Sequence, residues 1–145
     1  AVGVIDQPIS RERWVGARGH ATTFNGTVAR TRKCPDLGQA LLGTTSPYLF
    51  DAQERPRFEA AMQASANLVL GGDCYSYAGL AIGQLDLVIE AGLKLYDFAA
   101  LVPVIEGAGG CMCDWQGRAL GTNSDGRVVA LGDAALLPEV LALLA

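Results

Sequence analysis

The chain has 145 residues, of which half are apolar and 18% are charged, and its formal net charge is −4. This length suits one folded unit that buries roughly two thirds of its unfolded surface. No uninterrupted apolar run approaches the roughly 18 residues that suggest a membrane span, so we expect no membrane insertion. Basic residues are concentrated in residues 1–35, but the run at residues 30–33 is short and no recognition fold accompanies it, which argues against nucleic-acid binding.

Two features of the sequence favour a cytoplasmic location. Residues 1–3 lead directly into strand-like sequence, without the basic and apolar regions of an export signal. The chain is also rich enough in core-forming residues to fold without disulfides, so we expect its four cysteines to be reduced thiols. A structural zinc site is not expected, because the chain has one histidine and the Cys111-Met112-Cys113 segment alternates like a buried strand.

The first 30 residues predict an antiparallel sheet. Residues 1–9 have strand character, and residues 14–17 are a plausible partner across a turn at residues 10–12. Asn25-Gly26 is a strong type I′ turn signal between two further short strands. We expect this sheet to keep at least one edge without a partner inside the chain.

After residue 38 the pattern changes to alternating strands and helices. A buried strand at residues 39–45 ends in a hydroxyl-rich loop, and a helix with Pro56 as its first residue follows. Further segments continue the alternation. They are a strand at 68–70, a helix at 77–82, a strand at 85–91, a helix from near Asp97 to Gly109-Gly110 that Pro103 should bend, strands at 111–113 and 128–131, and a terminal helix capped by Asp133. The predicted fold class is therefore α/β, with layered α+β character.

Three carboxylates stand at the ends of predicted elements, and each has an ordinary structural explanation. Asp97 opens a helix, where carboxylates commonly cap the backbone or offset the helix dipole. Glu90 ends an apolar strand and is either an exposed charge or a paired group, because burying a bare carboxylate costs several kcal/mol. Asp73 follows Gly71-Gly72, which is typical of a turn leading into a helix cap.

Six segments of the sequence form a recognisable set. They are Val4-Ile5-Asp6-Gln7-Pro8, Glu12-Arg13-Trp14, Gly71-Gly72-Asp73-Cys74-Tyr75, Asp86-Leu87-Val88-Ile89-Glu90, Tyr96-Asp97-Phe98-Ala99-Ala100 and Glu106-Gly107-Ala108-Gly109-Gly110. Together they resemble the carboxyl-terminal half of the inositol monophosphatase superfamily, and within it most resemble the histidinol-phosphate phosphatase branch. The resemblance runs from Val4 to the end of the chain. Leu95 departs from the proline that this branch usually carries before the aromatic-Asp pair.

The resemblance implies a sugar-phosphatase-like fold and a Mg²⁺-dependent phosphomonoesterase, commonly a homodimer. By the same match, Asp97 would bind Mg²⁺, and Glu90 and Asp73 would contact the substrate. Thr45 and Ser46 occupy the place of the superfamily's hydroxyl loop. Histidinol phosphate carries an ammonium group and an imidazole ring, which suit two carboxylates better than the neutral hydroxyls of inositol do. Histidinol phosphate is therefore the expected substrate, with inositol phosphate or a related small phosphate as the alternative.

The superfamily's Glu-Glu segment and its Asp-Pro-(Ile/Leu)-Asp-Gly-Thr segment do not occur in these residues. These segments supply most of the metal ligands in the superfamily. We therefore expect residues 1–145 to be the carboxyl-terminal part of such a phosphatase, without the upstream metal-binding half, and to be inactive alone. A complementary half or chain would complete the site. The alternative from another class is a non-catalytic fragment or assembly partner.

Other catalytic schemes have less support in the sequence. No Gly-x-Ser-x-Gly elbow is present, and the single histidine, His20, lies at a predicted strand edge. A P-loop and a Gly-x-Gly-x-x-Gly fingerprint are also absent. A serine or cysteine triad and a nucleotide-binding loop are therefore not expected.

Overall fold

The structure, a computed structural model, describes all 145 residues and contains nine β-strands, five α-helices and three short 3₁₀ helices. The strands are β1 (Val2–Gln7), β2 (Glu12–Ala17), β3 (Thr23–Phe24), β4 (Thr27–Val28), β5 (Leu41–Thr44), β6 (Asn67–Leu70), β7 (Leu87–Glu90), β8 (Cys111–Cys113) and β9 (Val128–Leu131). The α-helices are α1 (Glu54–Ala64), α2 (Cys74–Ala81), α3 (Leu95–Phe98), α4 (Leu101–Gly107) and α5 (Leu137–Leu144). The 3₁₀ helices are Leu37–Gln39, Pro47–Leu49 and Ala134–Leu136.

The amino-terminal sheet is a four-stranded antiparallel meander in the order β1-β2-β3-β4. Both predicted hairpins are present. The second turns at Asn25 and Gly26, whose φ angles of 47° and 84° are the left-handed values that a type I′ turn requires. One face of the sheet buries Ile5 and Trp14, whereas the other exposes apolar side chains such as Val2. The outer edge of β1 has no partner strand, as predicted.

The second sheet is mixed and has the order β6-β5-β7-β9-β8. Strands β6, β5 and β7 are parallel, and β9 runs antiparallel to both β7 and β8. Every residue of β7 and β9 is buried, since these strands lie inside the sheet with both faces covered. The carboxyl ends of three neighbouring parallel strands therefore meet at one edge.

The elements stack in four layers, which confirms the predicted α/β layered fold. Helices α1 and α5 cover one face of the mixed sheet, where Phe58 and Val140 join its core. Helices α2 and α4 cover the other face through Tyr77 and Val104. Helix α4 also contacts β1 and β2, and a Cβ at Gly16 would lie 2.4 Å from the carbonyl oxygen of Pro103. Glycine is thus what allows the first sheet to approach this helix.

Helix α1 begins two residues before the predicted start at Pro56. The side chain of Asp51 accepts hydrogen bonds from the N–H groups of Gln53 and Glu54, both at 2.8 Å. These are two of the N–H groups that a helix start leaves unpaired, so Asp51 moves the beginning of the helix toward the amino terminus. The expectation that Pro56 is the first helical residue was therefore wrong.

The helix expected between Asp97 and Gly109 is divided rather than bent. It consists of α3 and α4, separated by Ala99 and Ala100, which keep right-handed helical backbone angles. Pro103 has no N–H to donate to the carbonyl of Ala99, so the hydrogen-bond ladder is interrupted at this point. Helix α4 ends as predicted, because Gly109 has a φ of 99° and Gly110 donates to Ile105.

None of the helices combines the length and the hydropathy that a membrane span requires. The four cysteine sulfurs are free.

Candidate active site

A cavity of about 310 Å³ lies at the carboxyl end of β7, between α2 and α3. Its lining includes the three carboxylates singled out from the sequence, Asp73, Glu90 and Asp97. The other lining residues are Cys74, Tyr77, Leu93, Tyr96 and Leu101. Residues separated by up to 28 positions in the chain thus converge where parallel strands end, the usual place for ligands in α/β folds.

Glu90 is the last residue of β7 and is almost fully buried, with 3% of its surface exposed. Its Oε1 accepts a hydrogen bond from the backbone N–H of Thr45 at 2.9 Å. Its Oε2 accepts one from the hydroxyl of Tyr77, also at 2.9 Å. The alternative of an exposed strand-end charge was therefore wrong, and the carboxylate is held in one orientation by donors from two different elements.

The charge of Glu90 distinguishes it from every other buried carboxylate. Four more carboxylates are buried, and each forms an ion pair with arginine or lysine. The pairs are Asp86 with Arg32 at 2.6 Å, Asp114 with Arg118 at 2.6 Å, Glu54 with Arg127 at 2.8 Å and Asp133 with Lys33 at 3.4 Å. Glu90 has only the two neutral donors and no basic side chain within ion-pair distance. Its negative charge is left without a cation from the protein.

Asp97 is exposed and is the third residue of α3. Its Oδ2 accepts a hydrogen bond from the backbone N–H of Lys94 at 2.7 Å, which is the capping role that its position suggested. Its Oδ1 receives no protein donor. The residue therefore stabilises the start of the helix with one oxygen while the other is free to bind a ligand in the cavity.

Asp73 lies in the connection between β6 and α2 with backbone angles of φ 43° and ψ −127°. This positive φ is uncommon for a residue other than glycine and costs of order 1–3 kcal/mol. Its side chain does not cap the helix. Instead, its Oδ1 accepts a 3.4 Å hydrogen bond from the hydroxyl of Thr45, so Thr45 contacts both Asp73 and Glu90.

The two hydroxyl residues singled out after β5 have different surroundings. Thr45 donates hydrogen bonds to the carboxylates of Glu90 and Asp73 but does not itself line the cavity. Ser46 lies outside the cavity as well, and its hydroxyl accepts a hydrogen bond from the backbone N–H of Tyr48 at 3.3 Å. This is the N-cap interaction of the following 3₁₀ helix. The geometry thus gives Thr45 a positioning contact and Ser46 a capping contact.

Comparison with known proteins identifies the family of this fold and site. A profile of the inositol monophosphatase family matches residues 1–144. The chain belongs to the inositol monophosphatase family. It is 47% identical over 149 residues to the bifunctional phosphatase IMPL2, chloroplastic, of Arabidopsis thaliana, a match that covers 97% of this chain and 42% of that protein. It is 29% identical over 131 residues to a histidinol-phosphatase of Chlorobaculum parvum, covering 89% and 50%.

A solved structure within the inositol monophosphatase family has the same fold. An inositol monophosphatase from Zymomonas mobilis superposes with a TM-score of 0.97 at 51% identity, covering 99% of this chain and 57% of that one. The fold and the superfamily predicted from the sequence are thereby confirmed. The chain spans about half the length of the curated relatives it matches.

Tyr77 also lines the cavity, and the sequence alone gave no reason to assign it a role. It is fully buried in α2, and its hydroxyl has Glu90 as its partner. Burial raises the pKa of this hydroxyl well above its ordinary range, and the nearby charge of Glu90 raises it further. Tyr77 therefore remains a protonated donor at physiological pH. A tyrosine within a helix of small residues is the one local signal that could have indicated it.

The residues at this cavity supply only part of the Mg²⁺ site that the sequence led us to expect. No three His, Cys, Asp or Glu side chains lie close enough together to hold a metal ion. Mg²⁺ commonly takes one or two protein carboxylates and completes its shell with water and phosphate oxygens. The Oδ1 of Asp97, which has no protein donor, suits one such position. These residues therefore fit one ligand of a Mg²⁺ site rather than a complete set.

Proposed function

We propose that this chain forms part of a Mg²⁺-dependent phosphomonoesterase whose substrate is L-histidinol phosphate. The observation that carries the proposal is the uncompensated charge of Glu90 at the cavity wall. A buried carboxylate without a cation is costly, and a cationic ligand removes that cost when it binds. Asp73 adds a second carboxylate to the same cavity.

The cationic groups of L-histidinol phosphate are complementary to the carboxylates at this cavity. A carboxylate has about four lone-pair sites, and the protein occupies two of those on Glu90. The remaining sites suit a donor from the ligand. L-histidinol phosphate offers an ammonium group and an imidazole, and charge-assisted hydrogen bonds to such groups are about twice as strong as neutral ones. A neutral polyol phosphate offers only hydroxyls.

The phosphate end of the substrate would lie toward Asp97. We propose that the free Oδ1 of Asp97 binds a Mg²⁺ ion. When bound, that ion supplies Lewis-acid activation of the phosphate and of the attacking water. The part of Asp97 in the reaction is to hold the metal while its second oxygen keeps the amino end of α3 in place.

We also propose that residues 1–145 are the carboxyl-terminal part of this phosphatase, and that the remaining metal ligands come from a complementary half outside these residues. The incomplete ligand set supports this division. So does the match to about half the length of the relatives. It follows that the isolated chain should release no appreciable phosphate, since one carboxylate does not hold a catalytic metal cluster.

The second candidate substrate is an inositol phosphate. It is favoured by the 51% identity to the inositol monophosphatase of Zymomonas mobilis, which exceeds the 29% identity to the histidinol-phosphatase of Chlorobaculum parvum. A non-catalytic assembly partner is the candidate from another class, and the absence of a three-residue metal group is the observation that favours it.

The test is phosphate release from L-histidinol phosphate and from myo-inositol 1-phosphate, with Mg²⁺ and with EDTA. Both the chain alone and the chain supplied with the amino-terminal half of a family relative are assayed. We expect Mg²⁺-dependent turnover only in the reconstituted protein, with the higher kcat/KM on histidinol phosphate. A higher kcat/KM on inositol phosphate would select the second candidate, and no turnover by the reconstituted protein would select the non-catalytic one.

A further inference from the structure

We infer that Tyr77 is a positioning residue, which orients Glu90 for a cationic ligand. This inference rests on the proposed function, because it concerns how the same cavity recognises its substrate. Tyr77 is buried in the second turn of α2 and reaches Glu90 at the end of β7 across the interface between helix and sheet.

Tyr77 belongs to an apolar core cluster and also lines the cavity that Asp73, Glu90 and Asp97 line. The other members of the cluster are apolar residues of several elements, including Leu80, Val88, Phe98, Leu101 and Val128. A hydroxyl buried without a hydrogen bond costs on the order of 1–3 kcal/mol, and Glu90 is the partner that removes this cost. This cost favours the orientation in which the Tyr77 hydroxyl donates to Glu90.

The same hydrogen bond restricts Glu90. With Thr45 holding Oε1 and Tyr77 holding Oε2, the plane of the carboxylate is set by two donors on opposite oxygens. Both are neutral, so they orient the group without neutralising its charge. A salt bridge in place of Tyr77 would orient Glu90 equally well and would leave less charge for a ligand. The structure uses a salt bridge at each of the other buried carboxylates.

The experiment compares Tyr77→Phe with the matched control Tyr75→Phe in the reconstituted phosphatase. Both variants remove one hydroxyl from α2, but the hydroxyl of Tyr75 bonds to Glu12 at 2.6 Å, outside the cavity. We expect Tyr77→Phe to raise KM for L-histidinol phosphate about tenfold and to leave kcat within about twofold. KM for inositol phosphate should change less than about threefold, and Tyr75→Phe should change neither KM.

A double-mutant comparison separates positioning from a merely structural role. If Tyr77 acts through Glu90, then Tyr77→Phe should have no further effect on KM once Glu90 is replaced by Gln. A structural role would reduce binding equally in both backgrounds. Circular dichroism and the melting temperature establish that each variant is folded, and Phe retains the ring that fills the core.

A binding measurement that needs no catalysis completes the test. L-histidinol, which carries the cationic groups without phosphate, is titrated calorimetrically into the wild type, Tyr77→Phe and Tyr75→Phe. We expect its Kd to rise about tenfold in Tyr77→Phe and to be unchanged in Tyr75→Phe. This result without phosphatase activity would support Tyr77 and refute the proposed function. Activity with equal Kd in the wild type and Tyr77→Phe, or no histidinol binding by the wild type, would overturn the role of Tyr77.

Discussion

Strand β7 has a buried carboxylate at each end, and the protein compensates the two charges in different ways. Asp86, just before the strand, receives two hydrogen bonds from the guanidinium of Arg32 and one from the backbone N–H of Leu41. Glu90, at the other end, receives hydrogen bonds only from the neutral Thr45 and Tyr77. The two residues are four positions apart in sequence and almost equally inaccessible to solvent.

The difference separates a structural carboxylate from one available to a ligand. The ion pair of Asp86 ties the segment around Arg32 to the amino end of the mixed sheet, and Asp86 does not line the cavity that Glu90 lines. Glu90 keeps its charge at the end where the cavity lies. Departures from complete charge pairing are expected at functional sites, where proteins accept a cost in stability. Exchanging or removing these groups should therefore affect stability at one end and recognition at the other.

The largest effect is expected for Asp86→Ala, which should lower the free energy of unfolding by about 3 kcal/mol. Removing one partner of a buried ion pair commonly costs about 3–5 kcal/mol, and Leu41 also loses its acceptor. We place the cost at the lower end of that range because 44% of the Arg32 side chain is exposed and water solvates the unpaired guanidinium. Urea denaturation of the chain measures the difference.

Arg32→Ala is the complementary variant for Asp86. It leaves a fully buried carboxylate that keeps the hydrogen bond from the Leu41 N–H, so its cost should be similar to that of Asp86→Ala. If Arg32→Ala instead left stability unchanged, the ion pair would not hold this segment in place. Asp86 would then not be a structural carboxylate, and its contrast with Glu90 would no longer hold.

The second effect concerns substrate preference. In the reconstituted phosphatase, Glu90→Gln should reduce kcat/KM for L-histidinol phosphate about ten- to a hundredfold more than for inositol phosphate. A charge-assisted hydrogen bond is worth on the order of 1.5–3 kcal/mol, and Gln keeps the shape of the side chain without its charge. Equal losses on both substrates would contradict a cationic pocket and indicate general positioning.

Glu90→Gln should leave stability nearly unchanged, in contrast to Asp86→Ala. The amide is neutral, so the cost of burying an uncompensated charge disappears, while one of the two hydrogen bonds weakens. We expect the free energy of unfolding to change by less than about 1 kcal/mol, with either sign. A loss as large as that of Asp86→Ala would mean that Glu90 is also a structural carboxylate.

Asp97→Asn should have a smaller effect, limited to the metal. The Mg²⁺ concentration for half-maximal activity of the reconstituted phosphatase should rise several-fold and the maximal rate should fall, because a hard cation prefers a carboxylate to an amide. The amide oxygen can still accept from Lys94, so the melting temperature of the chain should not change. An unchanged Mg²⁺ titration would leave Asp97 with its capping role alone.

The order of strands and helices was predictable because its signals are local. Asn25-Gly26 marks its own turn, and the helix end at Gly109 follows from glycine's backbone freedom. The motifs around Asp73, Glu90 and Asp97 also predicted that these residues would share a site, and they line one cavity. Local signals failed at the start of α1. Pro56 predicted the first helical residue, but hydrogen bonds to Asp51 allow the helix to begin earlier.

Charge compensation could not be predicted from the sequence, because it depends on residues far apart in the chain. Asp86 and Arg32 are 54 positions apart, and Glu54 and Arg127 are 73 apart. That Glu90 alone has no such partner becomes visible only when every buried carboxylate has been placed. The role of Tyr77 was missed for the same reason, since its hydroxyl reaches Glu90 only after α2 packs against the sheet.

The smallest effect that sharpens the comparison is the response to acid. Burial by itself raises the pKa of Asp86, but the hydrogen bonds from Arg32 and from the Leu41 N–H outweigh it, so the pKa lies below the ordinary value of 3.8. A pKa that is lower in the folded than in the unfolded state contributes stability above the unfolded value. That contribution is lost as the pH falls below about 3.8 through the folded pKa.

The measurement is the free energy of unfolding, from urea titrations at several values between about pH 6 and pH 3. Wild type should lose stability toward the acid end, and Asp86→Asn should lose less, with a slope smaller by at most about one proton. The remaining slope comes from the other carboxylates with lowered pKa, including Asp114 and Asp133. Identical slopes would show that Asp86 does not gain from its ion pair in the folded state, and the carboxylates at the two ends of β7 would then not differ in how their charges are compensated.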